Sequence, residues 1–168
     1  MNYFEFFALP ISPKVDQAVL KRKFYENSRR FHPDFFTLES DDDQAEALEK
    51  STYNNEAFQT LKDDDRRLKY LLDLKGALAE EGKNQVPQDF LFQVMEVNEA
   101  LMELEFGEDP NLKEKTLQTI ESLEQDLTKS VQSVLEDYDD EMVTEAELNQ
   151  LRDYYLKRRY LLRIREKI

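Results

Sequence analysis

The sequence predicts an all-α protein built as two helical units, on three grounds. Only three glycines and five prolines punctuate 168 residues, leaving long runs of good helix formers and little of the turn chemistry that a sheet needs. Apolar residues recur at steps of three and four along most of the chain. Residues suited to helix caps stand where several of these runs begin.

Taken in order, "NYFEFFAL" is a short apolar helix closed by Pro10. A second helix runs from Asp16 to Phe31, with Leu20, Phe24, Ser28 and Phe31 on its core stripe. Pro33 lacks an N–H and steers His32 away from helical angles, so the helix stops near Phe31 and a loop through "DFFTLESDDD" follows. Ser40 or Asp41 caps a third helix, whose expected stripe is Leu48, Asn55, Phe58 and Leu61. "RRLKYLLDL" forms a fourth and stops near Gly76. The stretch "GALAEEGKNQVP" carries two of the three glycines and reads as a linker, giving a first unit at 1–75, a linker at 76–86 and a second unit at 87–168.

Three further helices follow. The first runs from Phe90 to Phe106 behind Pro87. In the second, Asp109 caps and Pro110 takes the first helical position, above a seam of Leu117, Ile120, Leu123, Leu127, Val131 and Val134. The third opens on a capping box of Thr144 and Glu147. Short connections between amphipathic helices make an antiparallel three-helix bundle.

Composition narrows the chemistry. Charged residues are 36% of the chain and the net charge is −14, which disfavours unspecific binding to nucleic acid or to an anionic membrane. There is no cysteine, so disulfides, thiolate catalysis and thiolate-bound zinc or iron–sulfur clusters are excluded, and a single histidine excludes histidine-rich metal sites. No stretch reaches the roughly 20 apolar residues that span a bilayer, and "MNYFEFFALP" is too short and acidic for a targeting peptide. The expectation is a cytoplasmic protein with no cofactor, no metal, no nucleic acid and no membrane among its partners.

The second helix is unlike the rest of this acidic chain. With Leu20, Phe24 and Phe31 turned inward, Lys21, Arg22, Lys23, Tyr25, Arg29 and Arg30 fall on its flanks and outer face, opposed only by Asp16 and Glu26. Such a face is either a solvated helix surface or a docking face for an acidic partner, where charge steers and orients. At its end stands the only histidine, in "RRFHPDFF". His32 with Asp34, and no serine, cysteine or second metal ligand nearby in sequence, is a poor basis for catalysis.

A His-Pro-Asp loop after a basic helix, with a short aromatic helix before and a partner helix after, resembles the J-domain of DnaJ-type co-chaperones. "NYFEFFALP", "RRFHPDFF", "STYNNEAFQTLKDDDRRLKYLLDLKG" and the acidic helical C-terminal half resemble the HscB branch, which serves iron–sulfur cluster assembly, over essentially the whole chain. The resemblance implies an L-shaped, all-α pair of a J-domain hairpin and a three-helix client-binding domain. It implies His32, Pro33 and Asp34 as the motif that stimulates an HscA- or DnaK-type ATPase, and Lys21, Arg22, Tyr25, Arg29 and Arg30 as the docking face. Such a protein supplies no reacting atom; docking shifts the partner toward its hydrolysing state. Two positions depart from the pattern: Phe35 stands where relatives often carry lysine, and Glu26 interrupts the basic face.

A second site follows from helical geometry alone. Phe90, Val94, Val97, Leu101 and Leu104 share the bundle-facing side of their helix, leaving Phe92, Met95, Glu96, Glu99 and Glu103 opposite, with Leu91 and Met102 on the flanks. Phe92 and Met95 either cover the first unit or the linker, or form a partner patch rimmed by charge. On the last helix a seam of Leu148, Leu151, Tyr155 and Leu162 leaves Leu156, Tyr160 and Ile164 directed elsewhere. In the HscB-like family the outward face holds the cluster scaffold, IscU, which implies Leu91, Phe92, Met95, Glu96, Glu99, Glu103 and Tyr160 as the client site.

The leading expectation is thus a two-surface adaptor, not an enzyme, that stimulates a chaperone and presents an IscU-like scaffold to it. The alternatives are a general J-protein with another client, a metal-dependent helical hydrolase using His32 and Asp34, and a purely structural helical protein.

Overall fold

Every residue, Met1–Ile168, is described by the computed structural model, which is helical with no strand. The helices are α1 (Tyr3–Phe6), α2 (Gln17–Arg30), α3 (Asp41–Leu61), α4 (Asp64–Leu74), α5 (Gln88–Gln93), α6 (Met95–Glu105), α7 (Pro110–Glu136) and α8 (Glu145–Glu166), with a one-turn 3-10 helix at Pro33–Phe36. The chain divides into two compact units, Met1–Leu71 with Asp139–Glu141, and Leu72–Tyr138 with Met142–Ile168.

In the first unit the aromatic α1 supplies the centre of the core. Phe4 and Phe7 are fully buried against Leu20 of α2 and Ala57 and Leu61 of α3, and Phe24 stacks on Phe58 at 4.1 Å. The chain leaves α1 through Ala8 at φ 52, a left-handed angle unusual for a residue with a Cβ. Its reward is a closed end: Leu9 donates to the Phe4 carbonyl (2.8 Å) and Ala8 to that of Glu5 (2.9 Å). Lys23 seals the same end, donating from Nζ to the carbonyls of Phe7 (2.6 Å) and Ala8 (3.3 Å). Lys23 is therefore a buttress within the unit and not a member of the basic face.

The α3 stripe differs from the expected one. Ala47, Asn54, Ala57 and Leu61 are buried, whereas Leu48 is 58% exposed and Asn55 lies in solvent. Periodicity favours Leu48 over its smaller neighbour Ala47, but it is the alanine that is buried. Asn54 then becomes the polar pin of the hairpin. Its Nδ2 donates to the Phe24 carbonyl (3.2 Å) and to Ser28 Oγ (3.2 Å), and Ser28 Oγ in turn donates to the Phe24 carbonyl (2.8 Å). A second buried pin is Arg67, which donates to the carbonyls of Pro13 (2.7 Å) and Leu61 (2.6 Å) and pairs with Asp64.

The second unit is a bundle around Phe90, Val94, Val97, Ile120, Leu161 and Ile164. Its caps are those expected: Asp109 accepts from the Asn111 and Leu112 amides, and Thr144 and Glu147 form the capping box. Two expectations change. The single helix at Phe90–Phe106 begins instead at Gln88 and is interrupted at Val94 (φ −94, ψ 1), so that α5 and α6 each deliver residues to one core. Ile164 is buried and not directed elsewhere, because α8 is apolar on both sides and turns Leu161 and Ile164 inward near its end.

Candidate functional site

The tip of the α2/α3 hairpin is assembled by local chemistry. His32 adopts extended angles (φ −61, ψ 129) ahead of Pro33, which opens the 3-10 turn, and the Phe35 amide closes it on the His32 carbonyl at 3.0 Å. The Asp34 amide donates to His32 Nδ1 at 3.2 Å, and the Asp34 carboxylate lies 3.6 Å from the same nitrogen. The neutral imidazole therefore carries its proton on Nε2. His32, Pro33 and Asp34 are all exposed, the carboxylate side chain at 86%.

Both flanks of this turn are fixed. Phe31 is half-buried between the Arg30 guanidinium and the Lys50 ammonium, 5.2 and 5.3 Å from its ring centroid. Gln44 donates from Nε2 to the carbonyls of Thr37 (3.4 Å) and Glu39 (3.0 Å), and Ser40 caps α3. The exposed dyad is thus carried on a braced turn rather than a loose loop.

Beside it, Lys21, Arg22, Tyr25, Arg29 and Arg30 are all exposed. The interruption by Glu26 is local, since it approaches only Arg22, at 3.9 Å. Surface pairs at such a distance contribute little, so both groups remain available to a partner.

The second site lies on α5 and α6. Phe92 is 65% exposed and Met95 50%, with Leu91 and Met102 beside them also in solvent, so large apolar groups stand where no core receives them. Glu96, Glu99 and Glu103 line a groove of about 170 Å³ together with Val97 and Ala100 of α6 and Leu112, Lys115 and Thr119 of α7. Tyr160 differs from the other six expected residues. It is half-buried against the bundle core, meets Phe90 edge-on at 5.8 Å, and accepts a hydrogen bond from Asn98 Nδ2 at 2.9 Å. Its contacts tie α8 to α5 through Phe90 and to α6 through Asn98.

Sequence reasoning missed Asn54 and Arg67. The signal for the first was present in Ser28, a polar residue on a core stripe that needs a partner when buried.

No group of three or more His, Cys, Asp or Glu is arranged to hold a metal ion, and no helix is long and apolar enough to cross a membrane.

Residues 86–168 match the family model described as the HSCB C-terminal oligomerisation domain. A co-chaperone protein HscB homolog of Shewanella amazonensis is 35% identical over 142 residues, 83% of this chain and 82% of that protein. One from Vibrio cholerae is 41% identical over 112 residues, 66% of this chain; the match takes in 65% of that relative's length. Among solved structures, the crystal structure of human co-chaperone protein HscB superposes with a TM-score of 0.76 at 27% identity, covering 99% of this chain and 80% of that one. Chaperone HscB from Vibrio cholerae superposes with a TM-score of 0.64 at 31% identity, covering 99% and 98%.

Proposed function

The chain belongs to the HscB family, and from that premise we propose that it is a co-chaperone that stimulates the ATPase of an HscA- or DnaK-type chaperone and delivers an IscU-like scaffold to it. The observation that carries this reading is the braced, exposed His32/Asp34 turn beside an uncovered basic helix in a chain of net charge −14. His32 and Asp34 face solvent with hydrogen-bonding capacity to spare, while Lys21, Arg22, Tyr25, Arg29 and Arg30 offer an acidic partner a surface that orients it.

The chain acts by differential binding. Contacts that favour the partner's hydrolysing state over its resting state shift that equilibrium by their difference in free energy, and the co-chaperone is unchanged at the end. Leu91, Phe92, Met95, Glu96, Glu99 and Glu103 form the client surface on the second unit, with Tyr160 supporting it. Phe92 and Met95 supply buried area on binding, and the carboxylates rim it.

The test is the steady-state ATPase of a purified HscA-type chaperone with increasing amounts of the full chain, repeated with an IscU-type scaffold. The chain alone turns over no ATP, chain plus chaperone exceeds chaperone alone, and scaffold raises the rate further. Absence of stimulation with both HscA- and DnaK-type chaperones overturns the reading.

A further inference from the structure

Two large apolar side chains at the hairpin tip have no part in the reading above. Phe35 is 71% exposed and Leu38 is 99% exposed. The neighbouring ring, Phe36, turns the other way, half-buried in a small cleft with Phe31, Ala47 and Lys50. Of two consecutive aromatics, then, one completes the fold and the other stands in water. Phe35 is not loose: its amide closes the turn on His32, and its ring stands edge-on to the imidazole, centroids 6.2 Å apart at 77°.

We propose that Phe35 and Leu38 form an apolar anchor by which the ATPase chaperone grips the tip next to His32 and Asp34. The inference rests on the chaperone reading given above and adds a contact of a different kind to it. The Phe35 ring, 6.2 Å from the imidazole, is close enough for one partner surface to meet both side chains.

Area and charge select this occupant. A buried phenylalanine contributes about 150–250 Å², so two side chains fall far short of the roughly 800 Å² per partner that a stable dimer needs. The anchor must therefore belong to a larger interface, and the turn that carries it follows directly on the basic end of α2, Arg29 and Arg30. On its other side, Glu39 and Asp41–Asp43 oppose an anionic lipid surface. The result is a division of labour. The arginines steer the encounter and weaken with salt, while the tip anchor lengthens the complex and does not.

The experiment measures ATPase stimulation of a purified HscA-type chaperone against concentration of the full chain, at low and high salt. Wild type is compared with Phe35→Ala, the Phe35→Ala/Leu38→Ala pair and Phe35→Lys, each checked by circular dichroism and thermal unfolding. The paired variant is expected to need roughly tenfold more protein for half-maximal stimulation, with the same maximum and the same salt dependence as wild type. Phe35→Lys is expected to recover binding at low salt only. An unchanged half-maximal concentration overturns the inference, and so does a lowered maximum at saturation, which places the ring's effect in His32 itself. A wild-type dimer in sedimentation that the paired variant dissolves assigns the patch to a second copy and overturns it too, as does flotation of wild type with anionic vesicles. Failure of wild type to stimulate removes the underlying chaperone reading instead.

Discussion

The backbone amide of Asp34 donates to Nδ1 of His32 across 3.2 Å, so the turn itself selects the imidazole tautomer it displays. The neutral ring then offers Nε2–H to whatever approaches, with the Asp34 carboxylate alongside. Glutamine has the polarity but neither the ring nor this internal bond. His32→Gln is therefore expected to take stimulation down to background. Since the bond lost is an exposed capping bond, stability should fall by about 1 kcal/mol or less. Full stimulation by this variant contradicts the proposed role.

Arg29 and Arg30 test the docking face against its buttress. Reversing both to glutamate should weaken chaperone binding about tenfold or more at low salt, with the difference shrinking at high salt as screening removes the steering. Lys23→Ala should behave in the opposite sense. Its Nζ closes the end of α1 through the Phe7 and Ala8 carbonyls, so the loss appears as about 1.5 kcal/mol of stability. Urea unfolding and binding titrations on both variants separate the roles, and equal salt dependence in wild type and the double reversal removes the docking face.

Phe92 and Met95 carry the client proposal. They face solvent and support no core, so replacing both with alanine should leave unfolding within about 0.5 kcal/mol of wild type. Calorimetry with an IscU-type scaffold should show binding weakened roughly tenfold or more, while stimulation of the chaperone in the scaffold's absence stays the same. Unaltered scaffold affinity excludes these residues from the contact.

Features governed by near neighbours in sequence were legible. Asp109 with Pro110, and Thr144 with Glu147, announce helix starts because capping is a contact over two or three residues. His32 stood out for the same reason, as Pro33 sets the backbone on either side of it. What escaped depends on distant partners. Asn54 rather than Asn55 faces α2, and Ala47 rather than Leu48 is buried, a choice that a hydrophobicity pattern reverses by undervaluing small side chains. The interruption at Val94 has no glycine or proline to mark it, and the inward turn of Ile164 is hidden in a helix apolar on both sides. Exposure of Phe92 followed from the wheel, but the engagement of Tyr160 with Asn98, 62 residues away in sequence, did not.

Two of the tyrosines that close the first unit, Tyr53 and Tyr70, make its stability fall in alkali. The Tyr3 ring stacks on Tyr70 at 4.5 Å and meets Tyr53 edge-on at 5.0 Å, while the Tyr53 hydroxyl donates to the Met1 carbonyl at 2.7 Å. Burial, then the neighbouring Tyr70, Tyr3, Glu5 and Glu56, pushes the Tyr53 phenol up from 10.0 to about 12. Burial raises Tyr70 as well, against the Tyr3 amide, which donates to its oxygen and favours the phenolate. Above pH 10 the unfolded chain releases phenol protons that the folded chain keeps, so the native state binds more protons and stability declines as pH rises. The contribution of Tyr53 is fully present below pH 10 and is lost as pH rises through its folded value near 12. The urea midpoint should therefore fall over that interval. Tyr53→Phe removes the bond to Met1, a cost of about 1 kcal/mol at neutral pH, but should flatten the alkaline decline. A decline as steep in Tyr53→Phe as in wild type would place the titrating group elsewhere.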